Sequence, residues 1–181
     1  MSKNAKNILR LTFVLFLVSA VIALALGAVN MVTKDRIDAL QKAALDAAMQ
    51  EVLPADAYTE LKYAGGDERI DSVYSAGEQG HVVQATVSGS QGNITMIVGV
   101  SADGTVSGIS IINSSETSGM GAIASSSGAD GQAFRAQFVG KTEVSVDKDG
   151  GEIDAITSAT ITSRAICDGV NAAQAAIRTL G

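Results

Sequence analysis

The sequence predicts an α+β fold: a twisted antiparallel sheet with packed helices, preceded by one N-terminal transmembrane helix. Three observations carry that expectation. Residues 11–32 read LTFVLFLVSAVIALALGAVNMV without a single charge. Between residues 70 and 112 the apolar positions fall into four short runs of period two. Two helical patterns, one short and one closing the chain, follow the last of those runs.

The apolar stretch comes first. Only Thr12, Ser19 and Asn30 interrupt it, and about 20 apolar residues suffice to cross a bilayer as a helix. Lys3, Lys6 and Arg10 precede it, whereas Lys34, Asp35, Arg36 and Asp38 follow with mixed sign. Positive charge is retained on the cytoplasmic side, so the N-terminus is expected inside and the bulk of the chain outside. A cleaved signal peptide is the rival reading. Its apolar core would span ~7–15 residues and end in an Ala-x-Ala-like site, for which Leu24-Ala25-Leu26-Gly27 is only a loose match. The expected layout is a cytoplasmic tail (1–10), a single-pass transmembrane helix (11–32), a helical stalk (33–54) and an extracytoplasmic domain (55–181), placed at a bacterial cell membrane.

Beyond the membrane segment, Ile37, Leu40, Ala44, Leu45, Ala48, Met49 and Val52 recur near the helical period, and Pro54, the only proline, closes the stalk. Residues 55–68 read as irregular. Residues 70–74, 81–88, 94–100 and 106–112 read as strands, and Asp103-Gly104 signals a hairpin because that pair tolerates positive φ. After a Ser/Gly-rich loop at 114–130, residues 132–139 suggest a short helix with Phe134 and Phe138 on one face. Residues 144–146 suggest a further strand. The stretch 162–180 reads as a helix whose buried stripe is Ile166, Val170, Ala173, Ile177 and Leu180.

Charge and composition exclude several functions. Residues 1–33 hold three of the 13 basic side chains and none of the 19 acidic ones, so the remainder carries 10 against 19, a net charge of -9. Such a domain repels nucleic acid, and no nucleic-acid partner is expected. One cysteine, Cys167, and one histidine, His81, leave no internal disulfide, no Cys-rich iron–sulfur site and no His/Cys zinc cluster. No metal ligands are assigned. Cys167, inside the last helical pattern, reads as a partly buried small hydrophobe.

Two loops carry the candidate chemistry. Asp154-Ala155-Ile156-Thr157-Ser158-Ala159-Thr160 runs into Ile161-Thr162-Ser163 at the start of the last helix. Free backbone N–H groups and the positive end of the helix dipole favour a phosphate there. Thr157, Ser158, Thr160 and Thr162 add hydroxyls, and Ala159 is small enough to let a ligand approach. The plain alternative is that these residues only cap a helix. The second loop is Glu116-Thr117-Ser118-Gly119-Met120-Gly121. Gly119 and Gly121 let backbone pass close to a flat ligand, with Met120 as a soft contact for a ring. A flexible surface loop is the alternative there.

Together the two loops resemble one family. Asp154-x-x-Thr157-Ser158-Ala159-Thr160 is similar to the flavin-attachment signature of the FMN-binding domains found in the G subunit of the Rnf electron-transport complex and in the C subunit of the sodium-pumping NADH:quinone reductase. The Glu116–Gly121 loop resembles the family's Glu-Thr-Pro-Gly-Leu-Gly loop. Asp103-Gly104-x-Val106-x-Gly108-Ile109 and Phe134-x-x-Gln137-Phe138-x-Gly140-Lys141 match further segments. Ser118, Met120 and Ser158 depart from the commoner Pro, Leu and Gly. The short tail and single apolar segment favour the Rnf G subunit.

The resemblance implies a covalent flavoprotein subunit that relays electrons in an ion-translocating ferredoxin:NAD oxidoreductase, not catalytic alone. FMN would be attached by a phosphoester to Thr160, with its phosphate near Thr157 and Thr162. The Glu116–Gly121 loop would border the ring, and Lys141 would be a weaker anion contact. Partners are implied as well: other subunits of the membrane complex, and a flavin transferase using FAD as donor. Three readings compete: an anchored non-redox surface module with a pilin-like layout, a subunit of the quinone-reductase type, and a reductase that binds FMN reversibly.

Overall fold

The computed structural model describes residues 3–180; the first two residues of the expected tail and Gly181 lie outside the described residues. The chain divides after Ala43 into two compact units. A single helix, α1 (Lys3–Val52), covers the end of the expected tail, the apolar stretch and most of the stalk without a break. Among the described residues it is the one helix long and apolar enough to cross a membrane, with a mean hydropathy of 2.6 over a window of which none is buried. Leu11, Phe13, Leu15, Phe16, Leu24 and Leu26 all stand exposed along it, an apolar surface far larger than a water-soluble monomer tolerates.

The second unit is built on a five-stranded antiparallel meander of order β1-β2-β3-β4-β5. Its strands are β1 (Thr59–Leu61), β2 (Ile70–Ser75), β3 (Gly80–Ser88), β4 (Asn93–Ser101) and β5 (Val106–Ser114). Four of them follow the period-two runs. The fifth, β1, is a short edge strand inside the segment expected to be irregular, pairing Thr59 with Ser75 and Leu61 with Val73. Three residues are too few for a periodic signal, and the sheet edge imposes the pairing.

Alternation along the strands separates two cores. Val83, Ala85 and Val87 of β3 and Ile94, Met96, Val98 and Val100 of β4 join one cluster with helices α2 (Ala129–Ala136) and α3 (Thr160–Leu180). Val82 and Ile97 point the other way, to Ala48, Met49, Val52 and Leu53. The last turns of α1 are therefore part of the domain's second core rather than a free stalk. They fit because the cross-strand pair Gly99–Gly108 carries no side chains. A Cβ on Gly99 would come 2.7 Å from the Val52 carbonyl oxygen and one on Gly108 3.2 Å from Val52 Cα. The Ser107 hydroxyl donates to that carbonyl at 2.6 Å and so satisfies an end of the helix.

Two helix boundaries shift. Helix α2 begins three residues before the expected start and ends at Ala136, while Phe134 and Phe138 meet edge-to-face at 5.4 Å as their spacing suggests. Helix α3 begins at Thr160 rather than residue 162. Its stripe is buried at Ile166, Val170 and Ala173 and packed at Ile177, but Leu180 is exposed. Residues 144–146 form no strand: Val146 makes one isolated parallel bridge to Ile153. The Asn171 side chain takes the place of a strand partner, accepting from Val144 N–H at 3.0 Å and donating to its carbonyl at 2.8 Å. Cys167 is more deeply buried than expected, and burial pushes its thiol up to about 12.

Candidate functional site

The segment entering α3 is held by a clamp. Ser158 has φ +63, the one non-glycine residue in the left-handed region among those described. That turn brings the Ala159 N–H to the Ile156 carbonyl at 2.9 Å. The buried Ser163 hydroxyl then accepts from Ile156 N–H at 3.0 Å and donates to the Ala159 carbonyl at 3.1 Å. Left-handed backbone strains any residue with a Cβ, so glycine would fit this place with less strain than Ser158. The first intrahelical bond of α3 runs from Ser163 N–H to the Ala159 carbonyl. The N–H groups of Thr160, Ile161 and Thr162 precede it and have no intrahelical partner.

Asp154, the acid of the signature, is fixed through its backbone. Its N–H donates to Gln137 Oε1 at 2.7 Å and its carbonyl accepts from Gln137 Nε2 at 3.4 Å. Two of the four segments that bear the resemblance, the one containing Gln137 and the one beginning at Asp154, are thus tied to each other in space.

Thr160, half-buried at the helix start, lines a cleft of about 310 Å³ together with Glu116, Thr117, Met120, Gly121, Ser158, Ala159 and Thr162. Ser90, Gln91 and Ile161, which the sequence did not suggest, line it too. Met120 and Ile161 are 48% and 59% exposed, so two apolar side chains of the cleft stand in solvent. Gly119 (φ +78) turns the loop without reaching the cleft wall, and Thr157 is exposed beside it.

Glu116 ties its own loop to the β3–β4 hairpin and to the start of α3. Its Oε1 accepts from the N–H groups of Ser90 and Gln91 at 2.7 and 3.1 Å, and its Oε2 accepts from the Thr162 hydroxyl at 2.7 Å. Burial opposes its charge, but the bonds from Thr162, Gln91 and Ser90 outweigh that and hold the carboxyl below the ordinary glutamate value. Gly121 is required by this knot: a Cβ there would lie 2.5 Å from Glu116 Oε2 and 2.7 Å from Thr162 Oγ1. The side chains of Glu116 and Thr162 therefore form part of the frame of the cleft that they line.

The most telling side chain is Lys148, whose Nζ donates to Thr160 Oγ1 at 2.9 Å. It sits in a 3₁₀ turn, Asp147–Asp149, fixed on both sides. Asp147 accepts from Ala155 N–H at 3.2 Å, and Asp149 takes a bidentate bond from Arg164, both contacts at 2.6 Å. The sequence signal is a turn-rich run, Asp147-Lys148-Asp149-Gly150-Gly151, directly ahead of the signature. Lys141 is not brought to the cleft. It pairs with Glu152 on a separate groove.

The donor set fits a phosphate: an ammonium, three N–H groups at a helix start and the Ser158 and Thr160 hydroxyls. Met120 and Ile161 suit a flat apolar ring, and the volume is at the lower end of ligand clefts (~300–1,000 Å³).

Residues 89–175, which include every residue lining the cleft, match the FMN-binding domain family, so the class is that of a flavin-nucleotide-binding domain. Residues 1–52 match the RnfG N-terminal region. The G subunit of the Na(+)-translocating ferredoxin:NAD(+) oxidoreductase complex of Acetobacterium woodii is 39% identical, covering 92% of this chain and 89% of that protein. The G subunit of the ion-translocating oxidoreductase complex of Methanosarcina acetivorans is 31% identical over 94% of each. Its namesake from Pseudoalteromonas atlantica is 31% identical over 92% of this chain and 84% of its own length. The chain belongs to the RnfG family, the G subunits of ion-translocating oxidoreductase complexes.

Proposed function

We propose that this protein is a covalent flavoprotein that relays electrons inside a membrane-bound, ion-translocating oxidoreductase, with the FMN phosphate esterified to Oγ1 of Thr160. One observation carries the reading: Thr160 lines the same cleft as exposed Met120 and Ile161, and its hydroxyl accepts from a lysine. Bound FMN supplies reversible oxidation and reduction; the protein supplies position and electrostatics.

Each residue has a separate task. Lys148 and the leading N–H groups of α3 face the negative charge of the phosphate. Thr157 and Ser158 lie on the exposed side of the same turn and offer hydroxyls. Met120 and Ile161 shield a ring from water, while Glu116 and Thr162 keep their two loops at a fixed separation. With one cysteine, the chain cannot supply the thiolates of an iron–sulfur cluster, so electrons must come from and leave to other subunits. The Acetobacterium woodii relative is named for ferredoxin and NAD, which supports that pair as the terminal donor and acceptor of the complex.

Orientation rests on charge. Lys3, Lys6 and Arg10 precede the apolar stretch, which supports a cytoplasmic N-terminus, a single crossing and a domain outside. Covalent attachment suits that side, where a dissociated cofactor would be lost. A flavin transferase with FAD as donor completes the maturation.

The test is the mass of the full chain made with the transferase. The wild type should carry one flavin mononucleotide on the peptide containing Thr160, and Thr160→Ala should carry none while staying folded. The Thr160 hydroxyl only meets Lys148, and a capping-region hydroxyl contributes ~1 kcal/mol. A fluorescent Thr160→Ala band on a denaturing gel, or a bare Thr160 in material from the native host, overturns the assignment. An anchored module without redox chemistry would then be the better account.

A further inference from the structure

We infer that the Lys148 ammonium is a catalytic group in the attachment of the flavin phosphate to Thr160, so that the acceptor chain itself provides part of the machinery that modifies it. The inference rests on the covalent reading above. Lysine nitrogen has three donors and no acceptor, so in the 2.9 Å contact Nζ donates and Thr160 Oγ1 accepts. The hydroxyl's own hydrogen is left free to point into the cleft, where a base of the transferase can take it.

In the attachment step, Thr160 Oγ1 attacks the phosphorus on the flavin side of the FAD pyrophosphate, and a new O–P bond forms. The bond from that phosphorus to the bridging oxygen breaks, AMP leaves with the electron pair, and the hydroxyl proton passes to the transferase base. Charge on the phosphoryl oxygens must be met as they crowd against Oγ1, and a cation already seated at that atom meets it.

Lys148 is suited to this because, though exposed to solvent, its ammonium is not neutralised by a neighbouring acid. Among the described residues no carboxylate reaches it within salt-bridge distance. Its two acidic neighbours are occupied elsewhere, Asp147 with Ala155 N–H and Asp149 with Arg164. Those same contacts fix the turn, so the ammonium is in place before any flavin arrives. A lysine kept only for solubility would not be aimed at the one hydroxyl of the signature that begins the helix.

The experiment follows flavin transfer in a single turnover, using the full-length chain in detergent, purified transferase and FAD, with flavin fluorescence on denaturing gels as readout. Lys148→Gln should slow transfer by about ten- to a hundredfold, as for the loss of one hydrogen bond to a charged group, and Lys148→Arg should retain an intermediate rate. Lys148→Cys should be slow, and treatment with 2-bromoethylamine, which rebuilds an ammonium of nearly the same reach, should restore it. Cys167 is 3% exposed, so alkylation falls on the new thiol. Rescue within one folded preparation separates charge from folding. An unchanged rate in Lys148→Gln, or a slow Lys148→Cys that alkylation does not restore, overturns the inference. If instead the wild-type chain takes up no flavin at Thr160, the covalent reading itself fails.

Discussion

Of the clefts that border helix α3, two differ in the opposite sense to their size. The larger, about 510 Å³, is lined by Lys141, Ser145, Asp149, Glu152, Arg164 and Asn171 among others. The smaller, about 310 Å³, holds Thr160. In the larger groove both cations are answered. Lys141 pairs with Glu152 and Arg164 with Asp149, and these two acids are held below their ordinary values by their basic partners. Asn171 spends its amide on the backbone of Val144. At the smaller cleft, Thr160 of its wall accepts from an ammonium that has no carboxylate partner among the described residues, and three helix N–H groups have no intrahelical partner. Unmet donors, rather than volume, mark the place where an anion belongs.

The sharpest way to break this contrast is to cut the frame of the small cleft without touching the other. Glu116→Gln keeps an oxygen for Ser90 and Gln91 but turns an NH₂ toward Thr162, whose hydroxyl then loses its acceptor. The loss should be about 1–2 kcal/mol, with flavin uptake reduced as the Met120 loop loosens. The pH dependence fixes the sign. The folded carboxyl titrates below its ordinary value of 4.5, so between the two values the unfolded chain binds more protons. Stability from this group is complete above the ordinary value and disappears as pH falls through the folded one. Denaturation of wild type and Glu116→Gln should therefore differ at neutral pH and converge in acid. A difference independent of pH would mean that packing, not charge, ties the loops.

A smaller effect of opposite sign is expected at the other wall. Ser158 is exposed and left-handed, so Ser158→Gly removes strain of ~1–2 kcal/mol against the greater freedom of glycine in the unfolded chain, ~0.4–1 kcal/mol. A net gain of about 0.5–1 kcal/mol should appear as a raised denaturation midpoint, with flavin uptake retained. A loss of stability would show that the Ser158 hydroxyl holds the turn.

Much of this is legible in the sequence, and the exceptions share a cause. Strands β2 to β5 announce themselves by alternation and the Asp103-Gly104 turn, because both are local properties of the chain. The Thr160 signature and the Glu116–Gly121 loop are also contiguous runs. What the sequence does not reveal depends on distant partners. Val144 is no strand residue because Asn171, in another element, satisfies its backbone. The end of α1 becomes core because Gly99 and Gly108 leave a slot for Val52. Glu116 looks like a ligand contact and turns out to be a tie, because its donors come from the β3–β4 hairpin and from α3. No periodicity says which lysine a 3₁₀ turn will aim at Thr160, so the sequence points to Lys141 where the structure brings Lys148.

Those two lysines allow the smallest and cleanest test of the comparison. Both follow the last strand, both lie near α3, and each makes one side-chain contact, to a carboxylate in one case and to a hydroxyl in the other. Lys141→Gln removes half of an exposed pair, and such pairs contribute little because solvent screens them and ordering two long side chains costs entropy. Its backbone duties persist, since Val106 N–H and the Gln174 amide both bond its carbonyl. The thermal midpoint and the rate of flavin uptake should both match the wild type. A drop in uptake at Lys141→Gln equal to that at Lys148→Gln would mean that long-range positive charge is enough to draw the flavin donor. In that case the particular contact with Thr160 would confer nothing, and the two clefts would have to be treated as one electrostatic surface.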